Sequence, residues 1–295
     1  MLTLTGHTTT ITALAYSPEG GMFASADRDG SVRLWDLGGE GTLITEEGGP
    51  IGALAFSPDG RRLVVGGADK RLSVWEPQTG RSFGAFGPLQ PAGITGLAFL
   101  PDRRTLAVAS GERGYPERSG GLQLLDLQSA GTRSRFFEAG GVWSLTTLPE
   151  RRAVAWATGM RRLVSWDVTT PQPRPLPSTK KPASALAASP DGRTLAVAVD
   201  WTVSVCDAQS GSARATLTGH KGLVTAIAFS PDGRFLASAG RDEMVRMWDV
   251  VTWHEAMAYH WPIGRLTAVA FAPDGTTMVA ASDNGGLIVW DRDDF

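Results

Sequence analysis

The chain has 295 residues, 42% of them apolar, with 30 acidic and 28 basic side chains for a net charge of −2. That apolar share supports a sizeable core, and the near balance of charge argues against a broad nucleic-acid surface, which needs a basic face to neutralise phosphates. The single cysteine, Cys206, excludes an internal disulfide; no apolar run approaches the ~18 residues of a membrane-spanning helix, and no signal-peptide pattern opens the chain, so a soluble cytoplasmic protein is expected.

Residues 2–5 read as one short strand that only Met1 precedes, running into Thr-Leu-Thr-Gly-His at 3–7. The same five residues return at 216–220, where they follow a finished strand pattern. The first full unit carries a turn phrase at Pro18 and Trp35-Asp36. In the second, residues 51–56, 62–66, 71–75 and 81–86 are four short strand-like runs, with Pro58-Asp59-Gly60 between the first two. Short runs separated by turn residues every 8–12 positions argue for antiparallel all-β structure, and no helical period appears. The first run of each unit is the most apolar and is expected to be the most buried; the fourth is the most polar and is expected at the outer edge.

The third unit carries an insertion at 111–120 between its second and third strands, then Leu125-Asp126. The fourth ends in Trp166-Asp167 and is followed by Pro171, Pro173, Pro175 and Pro177. Prolines at every second residue place all their missing N–H groups on one side, which suits an outermost strand and blocks edge-to-edge pairing. The fifth unit has Cys206-Asp207 where others have Trp-Asp, so Cys206 reads as a small buried hydrophobe. The sixth and seventh end in Trp248-Asp249 and Trp290-Asp291.

Two markers keep step along the whole chain. The turn prolines are Pro18, Pro58, Pro101, Pro149, Pro190, Pro231 and Pro273; the second marker falls at 35, 75, 125, 166, 206, 248 and 290. Seven copies of each, about 40 to 50 residues apart, are a repeat signature.

Gly-His and Trp-Asp phrases at this period resemble the WD40 repeat. The resemblance implies a seven-bladed β-propeller, one blade of four antiparallel strands per repeat. The blades would span about 6–45, 46–87, 88–138, 139–179, 180–218, 219–260, and 261–295 completed by 1–5. The N-terminal strand then pairs in the last blade and closes the ring, hiding two edges at once. The resemblance also implies a hydrogen-bonded structural set in each well-kept repeat: His7, Ser25, Asp29 and Trp35 in the first, and His220, Ser238, Asp242 and Trp248 in the sixth. A His-Ser-Asp group occurring twice in equivalent places reads as structural, not as a hydrolase triad. Blades three to five, which lack much of the set, are expected to rely on packing.

No metal-ligand spacing, phosphate loop or nucleophile motif is present, so no cofactor, metal or catalytic residue is expected. Function is sought where the surface departs from the repeat. Arg113, Tyr115 and Arg118 lie in the insertion. Trp143 starts an inner strand where the equivalent residues are Thr12, Gly52, Thr95, Ser184, Thr225 and Thr267. Trp261 lies in the loop before the last blade. These five residues form the expected partner surface of a monomeric, non-catalytic scaffold that binds a protein or peptide on the face of the Gly-His loops. The regular SPDG phrases resemble bacterial chains of this kind, which leaves a sensory or targeting domain of a larger bacterial signalling protein as an alternative. A small-ligand binder or hydrolase using the central channel is a third.

Overall fold

The computed structural model describes residues 1–46, 48–87, 92–112, 120–127, 129, 131–149 and 152–292. These form seven antiparallel sheets of four strands each. In six sheets the strands follow chain order from inside to outside. The inner strands are Ile11–Tyr16, Ile51–Phe56, Ile94–Phe99, Val142–Leu148, Ala185–Ala188, Val224–Phe229 and Leu266–Phe271. Each contacts the next, and the seventh contacts the first, so the sheets stand as blades around a closed ring. The seventh blade takes its outer strand from the other end of the chain: Leu2–Leu4 pairs with Leu287–Asp291, with Leu4 opposite Leu287.

The core is divided among the joints. Among the described residues there are seven apolar clusters, and each draws on two neighbouring blades. At the closing joint, Leu4, Val279, Ala281, Leu287 and Val289 meet Ile11, Phe23 and Trp35. Burial of apolar area therefore ties blade to blade, because one sheet's face can be covered only by the next.

The expectation that inner strands are the most buried fails. Ile94–Phe99 has one fully buried residue, whereas the second strands Leu63–Gly67, Thr105–Ser110 and Ala153–Thr158 are buried throughout. An inner strand has a sheet on one side and the channel on the other; a second strand is flanked by strands on both edges and by blades on both faces. The apolar character of the inner strands serves the joints.

The Pro-Asp-Gly turns have a structural use of their own. In the second, fifth and sixth blades Ser57, Ser189 and Ser230 donate to Asp59, Asp191 and Asp232, which also accept the N–H groups of Arg61, Arg193 and Arg234. Gly60, Gly233 and Gly275 take positive φ and lie against Pro18, Pro190 and Pro231 of the preceding blades. One residue closes the turn and the next blade's glycine receives the proline, which is why the phrase recurs as a unit. The proline run ends as expected at an edge: Arg174–Leu176 is the outermost strand of the fourth sheet, and only three residues of it pair.

Closure by three residues makes Leu4 a test of the ring. Leu4 is buried at the joint and Leu2 is exposed. Leu4→Ala is expected to cost about 2–3 kcal/mol and Leu2→Ala less than about 1 kcal/mol, read from chemical denaturation.

Candidate functional site

Two blades carry a directional polar chain. In the first, the Trp35 indole N–H donates to Ser25 Oγ (2.7 Å), and Ser25 lies 2.6 Å from His7 Nε2. Because Ser25 Oγ already accepts from Trp35, its own proton goes to Nε2. The neutral imidazole then carries its proton on Nδ1 and donates it to Asp27 Oδ2 at 2.8 Å. In the sixth, Trp248, Ser238 and His220 repeat the chain at 2.9 and 2.8 Å, and His220 Nδ1 donates to Asp242 at 2.9 Å. Burial holds both imidazoles below their ordinary pKa, against the opposing pull of the facing carboxylate. Burial works to raise the Asp242 carboxyl, but the Lys221 N–H and His220 outweigh it and hold it below the usual range.

The acid of the first set is Asp27, not Asp29. Asp29 is exposed in the turn, and its N–H donates to Asp27 Oδ1. The reason lies at one residue. In the sixth blade the place of Asp27 is held by Gly240, where a Cβ would come within 2.5 Å of Asp242 Oδ1 and 2.7 Å of His220 Nδ1. The missing side chain lets the carboxylate two residues later reach back. In the first blade position 27 brings its own carboxylate and fills that space.

The remaining blades replace the set in different ways. Glu138 stands 28 residues before Trp166, as His7 stands before Trp35, and Trp156 takes the place of the serine. The Trp156 indole N–H donates to Glu138 Oε1 (3.2 Å), and Arg162 caps Oε2 at 2.7 Å. The third blade buries Gln123 against Thr132 and Arg135. These two blades thus have polar networks of their own, contrary to the expectation of packing alone; the 28-residue spacing was the available signal for Glu138. The fifth relies on packing, with Cys206 buried and its thiol pushed up to about 11 by burial and Asp207. In the seventh, Ala280 offers no hydroxyl, and the Trp290 N–H has no hydrogen-bond partner among the described residues.

Trp261 belongs to this structural tier and not to the partner surface. It is 7% exposed, packs parallel to Tyr259 at 5.9 Å and lies 5.3 Å from Trp290. It precedes Trp290 by nearly the spacing of His7 to Trp35, and its ring covers Trp290 much as the imidazole sits by Trp35 at 6.3 Å. Arg113, Tyr115 and Arg118 lie outside the described residues.

The ring of small residues also has structural work. In six inner strands the second residue is the extra one of a β-bulge. Thr12 donates across the joint to Ile51 O (2.6 Å), Thr95 to Val142 O (2.5 Å), Ser184 to Val224 O (2.6 Å) and Thr225 to Leu266 O (2.8 Å). Gly52 lies so close to Ile94 O that a Cβ would come within 2.0 Å of it. In the fourth blade the task moves one residue on, where Ser144 Oγ accepts the Leu186 N–H across the joint. Trp143 is thereby released from the role. Its half-buried indole lies against Gly159, where a Cβ would sit 2.8 Å from the ring.

Trp143 lines the central channel, a cavity of about 740 Å³. The walls are mostly small and aliphatic residues of the inner strands, and the ionisable groups among the lining residues are Arg28, Arg241, Arg265 and Asp283. Arg28, Arg241 and Asp283 hold the same turn place in blades one, six and seven. Each backbone N–H donates to the carbonyl of a residue just before the inner strand, Thr10, Leu223 and Arg265 respectively, at 2.9 Å. In blades two, three and four that place holds Ala68, Gly111 and Gly159, bonded in the same way. Among the described lining residues, one side of the mouth is therefore rich in guanidinium groups, and the other presents Trp143. Among the described residues there is no group of three His, Cys, Asp or Glu able to hold a metal, and no helix long and apolar enough to cross a membrane.

The family model described as WD domain, G-beta repeat, matches residues 1–36, 41–76, 211–249 and 260–291. These segments make up just under half of the chain, and with the seven four-stranded blades they make it similar to the WD40-repeat family. The segments matched contain the two histidine sets; those left unmatched contain Glu138, Trp156 and Cys206. Over 263 residues the chain is 27% identical to telomerase protein component 1 of Rattus norvegicus, covering 84% of this chain and 10% of that protein. It is 30% identical over 115 residues to eukaryotic translation initiation factor 3 subunit I of Scheffersomyces stipitis, 38% of this chain and 32% of the other. It is 37% identical over 75 residues to the small ribosomal subunit protein RACK1z of Arabidopsis thaliana, 25% and 23% of the two chains. The matches span at most about a third of these relatives. All three come from eukaryotes and lend no support to the bacterial origin suggested by the SPDG phrases.

Two predictions follow from the buried chains. Asp27→Ala is expected to cost about 2 kcal/mol, since it strands a buried donor, while Asp29→Ala stays within about 0.5 kcal/mol. Asp27→Gly should recover part of the loss through Asp29, and adding Asp29→Ala should remove that recovery; equal effects of Ala and Gly at 27 would contradict the account. The second concerns pH. An imidazole whose folded pKa lies below its unfolded value of 6.5 stabilises the fold fully above that pH, and the contribution is lost as pH falls through the folded value. Thermal melts between pH 7.5 and 5 should show a melting temperature that falls on acidification, with a shallower slope in His7→Gln/His220→Gln.

Proposed function

We propose that the chain is a non-catalytic interaction module that binds protein or peptide partners on the face where the Trp143 side of the channel opens. The observation that carries this reading is Trp143 itself: an indole at the mouth, in a ring position where Thr12, Thr95, Ser184 and Thr225 serve the joints, with its own joint bond handed to Ser144. Tryptophan at the lip of a concave site is a favoured anchor because it offers large area at low entropic cost. The likeness to the WD40 repeat supports the same reading, since the relatives named above include a subunit of a translation initiation factor and a ribosomal-subunit protein. Arg113, Tyr115 and Arg118 belong to the proposed surface through their place in the insertion. Cytoplasmic location and a monomeric state complete the proposal. A catalytic channel is the less supported reading, because the ionisable groups of its described lining are three arginines and one aspartate, with no imidazole to act as a base near neutral pH.

The test is capture of partners from lysate by the wild type, Trp143→Ala, Trp143→Phe, and Arg61→Glu in the Pro-Asp-Gly turn on the opposite face. Trp143→Ala is expected to lose about tenfold or more of the captured partners while Phe keeps most and Arg61→Glu keeps all, with folding checked by melting. Full retention by a folded Trp143→Ala would displace the site.

A further inference from the structure

The arginines of the channel mouth define the chemistry of the partner. Arg28, Arg265 and Arg241 belong to three consecutive blades, the first, seventh and sixth, and all three side chains are exposed. None of them has an ion-pair partner among the described residues. Ion pairs hold Arg104 and Arg133 at Asp126, Arg162 at Glu138, Arg214 at Asp207, Arg246 at Glu255 and Arg292 at Asp232; arginines such as Arg71 and Arg174 have none among the described residues, so what distinguishes the mouth is the gathering of three guanidinium groups at one opening. The one carboxylate at the mouth, Asp283, accepts the Arg265 backbone N–H at 3.1 Å. Among the described lining residues the mouth therefore carries a local excess of two positive charges, on a chain whose net charge is negative.

The walls below these groups are aliphatic, including Leu14, Leu54, Leu97 and Leu145. Charges of one sign at the rim of a low-dielectric cleft concentrate the field within it. A guanidinium presents a planar fork of donors that matches the two oxygens of a carboxylate or phosphate. Three such forks around one opening suit a compact anionic group. A nucleic-acid backbone would instead need a basic track running along its phosphates.

We propose that the mouth receives an acidic side chain of a partner peptide, a carboxylate or a phosphorylated residue, held by Arg28, Arg241 and Arg265, while a neighbouring apolar side chain of the same peptide packs on Trp143 across the opening. This rests on the mouth being the docking site and adds the charge of what docks there. It also assigns the arginines and the indole separate tasks: the former select the anion and the latter supplies contact area.

The experiment uses the full chain and four fluorescein-labelled nonapeptide libraries with a central Glu, phosphoserine, Gln or Lys between randomised positions, with binding read by anisotropy. The Glu or phosphoserine library is expected to bind about tenfold more tightly than the Gln library, and the better of the two identifies the source of the anion. Arg28→Gln/Arg241→Gln/Arg265→Gln should abolish that preference, the corresponding triple Lys variant should keep part of it, and melting should be little changed because these side chains are exposed. Equal binding of the Glu, phosphoserine and Gln libraries, or a preference untouched by the triple Gln variant, overturns the proposal. So does a labelled uridine dodecamer that binds more tightly than both acidic libraries with the same arginine dependence. If the acidic preference is missing while Trp143→Ala still strips partners in the capture experiment, the docking reading stands and the anion assignment falls. If both effects are missing, both fall.

Discussion

The structure depends on the joint between neighbouring blades. A four-stranded sheet with two apolar faces cannot bury itself, and here each of the seven apolar clusters is shared by two sheets. The arrangement has no free end only if the last sheet meets the first. Three residues at the start of the chain complete that meeting, and Leu4 enters the same cluster as Phe23 and Trp35. Closure converts a row of marginal units into one cooperative body.

Each joint is then trimmed by polar bonds that the repeat supplies unevenly. Hydroxyls on the inner bulges cross three joints, Ser184 crosses a fourth, a serine one residue later serves a fifth, and a glycine makes close backbone contact at another. The buried histidine chains stiffen two blades, Glu138 with Trp156 and Arg162 does comparable work in the fourth, and a stack of Tyr259, Trp261 and Trp290 occupies that region of the seventh. A buried donor requires an acceptor, but the physics is indifferent to which residue provides it. The repeat could therefore lose its sequence pattern in blades three to five without losing its geometry.

That division of labour sets apart the channel groups that do not serve a joint. Most ring positions at the channel serve the joints, so the indole of Trp143 stands out. Arg28, Arg241 and Arg265 stand out because three guanidinium groups line one opening. These groups occupy opposite sides of one opening, an arrangement created by the ring and absent from any local stretch of chain.

The sequence by itself determined the repeat count and the four-stranded unit, because turn chemistry and strand alternation are local and two markers kept register seven times, and its resemblance to the WD40 repeat implied the closure by residues 2–5. It also placed His220, Ser238, Asp242 and Trp248 in one set. It misassigned Asp29 because Asp27 and Asp29 are both acids in the same turn, and only the volume at position 27, glycine in the sixth blade, decides which one reaches the imidazole. It misassigned Trp261 because exposure is not written in residue type: the last blade lacks the histidine, and an indole fills the space. It expected inner strands to be the most buried because apolar content does not say whether the neighbour is a blade or a channel. The arginine mouth was invisible for a related reason. Residues 28, 241 and 265 are far apart in the chain, and only the closing of the last blade on the first sets them around one opening.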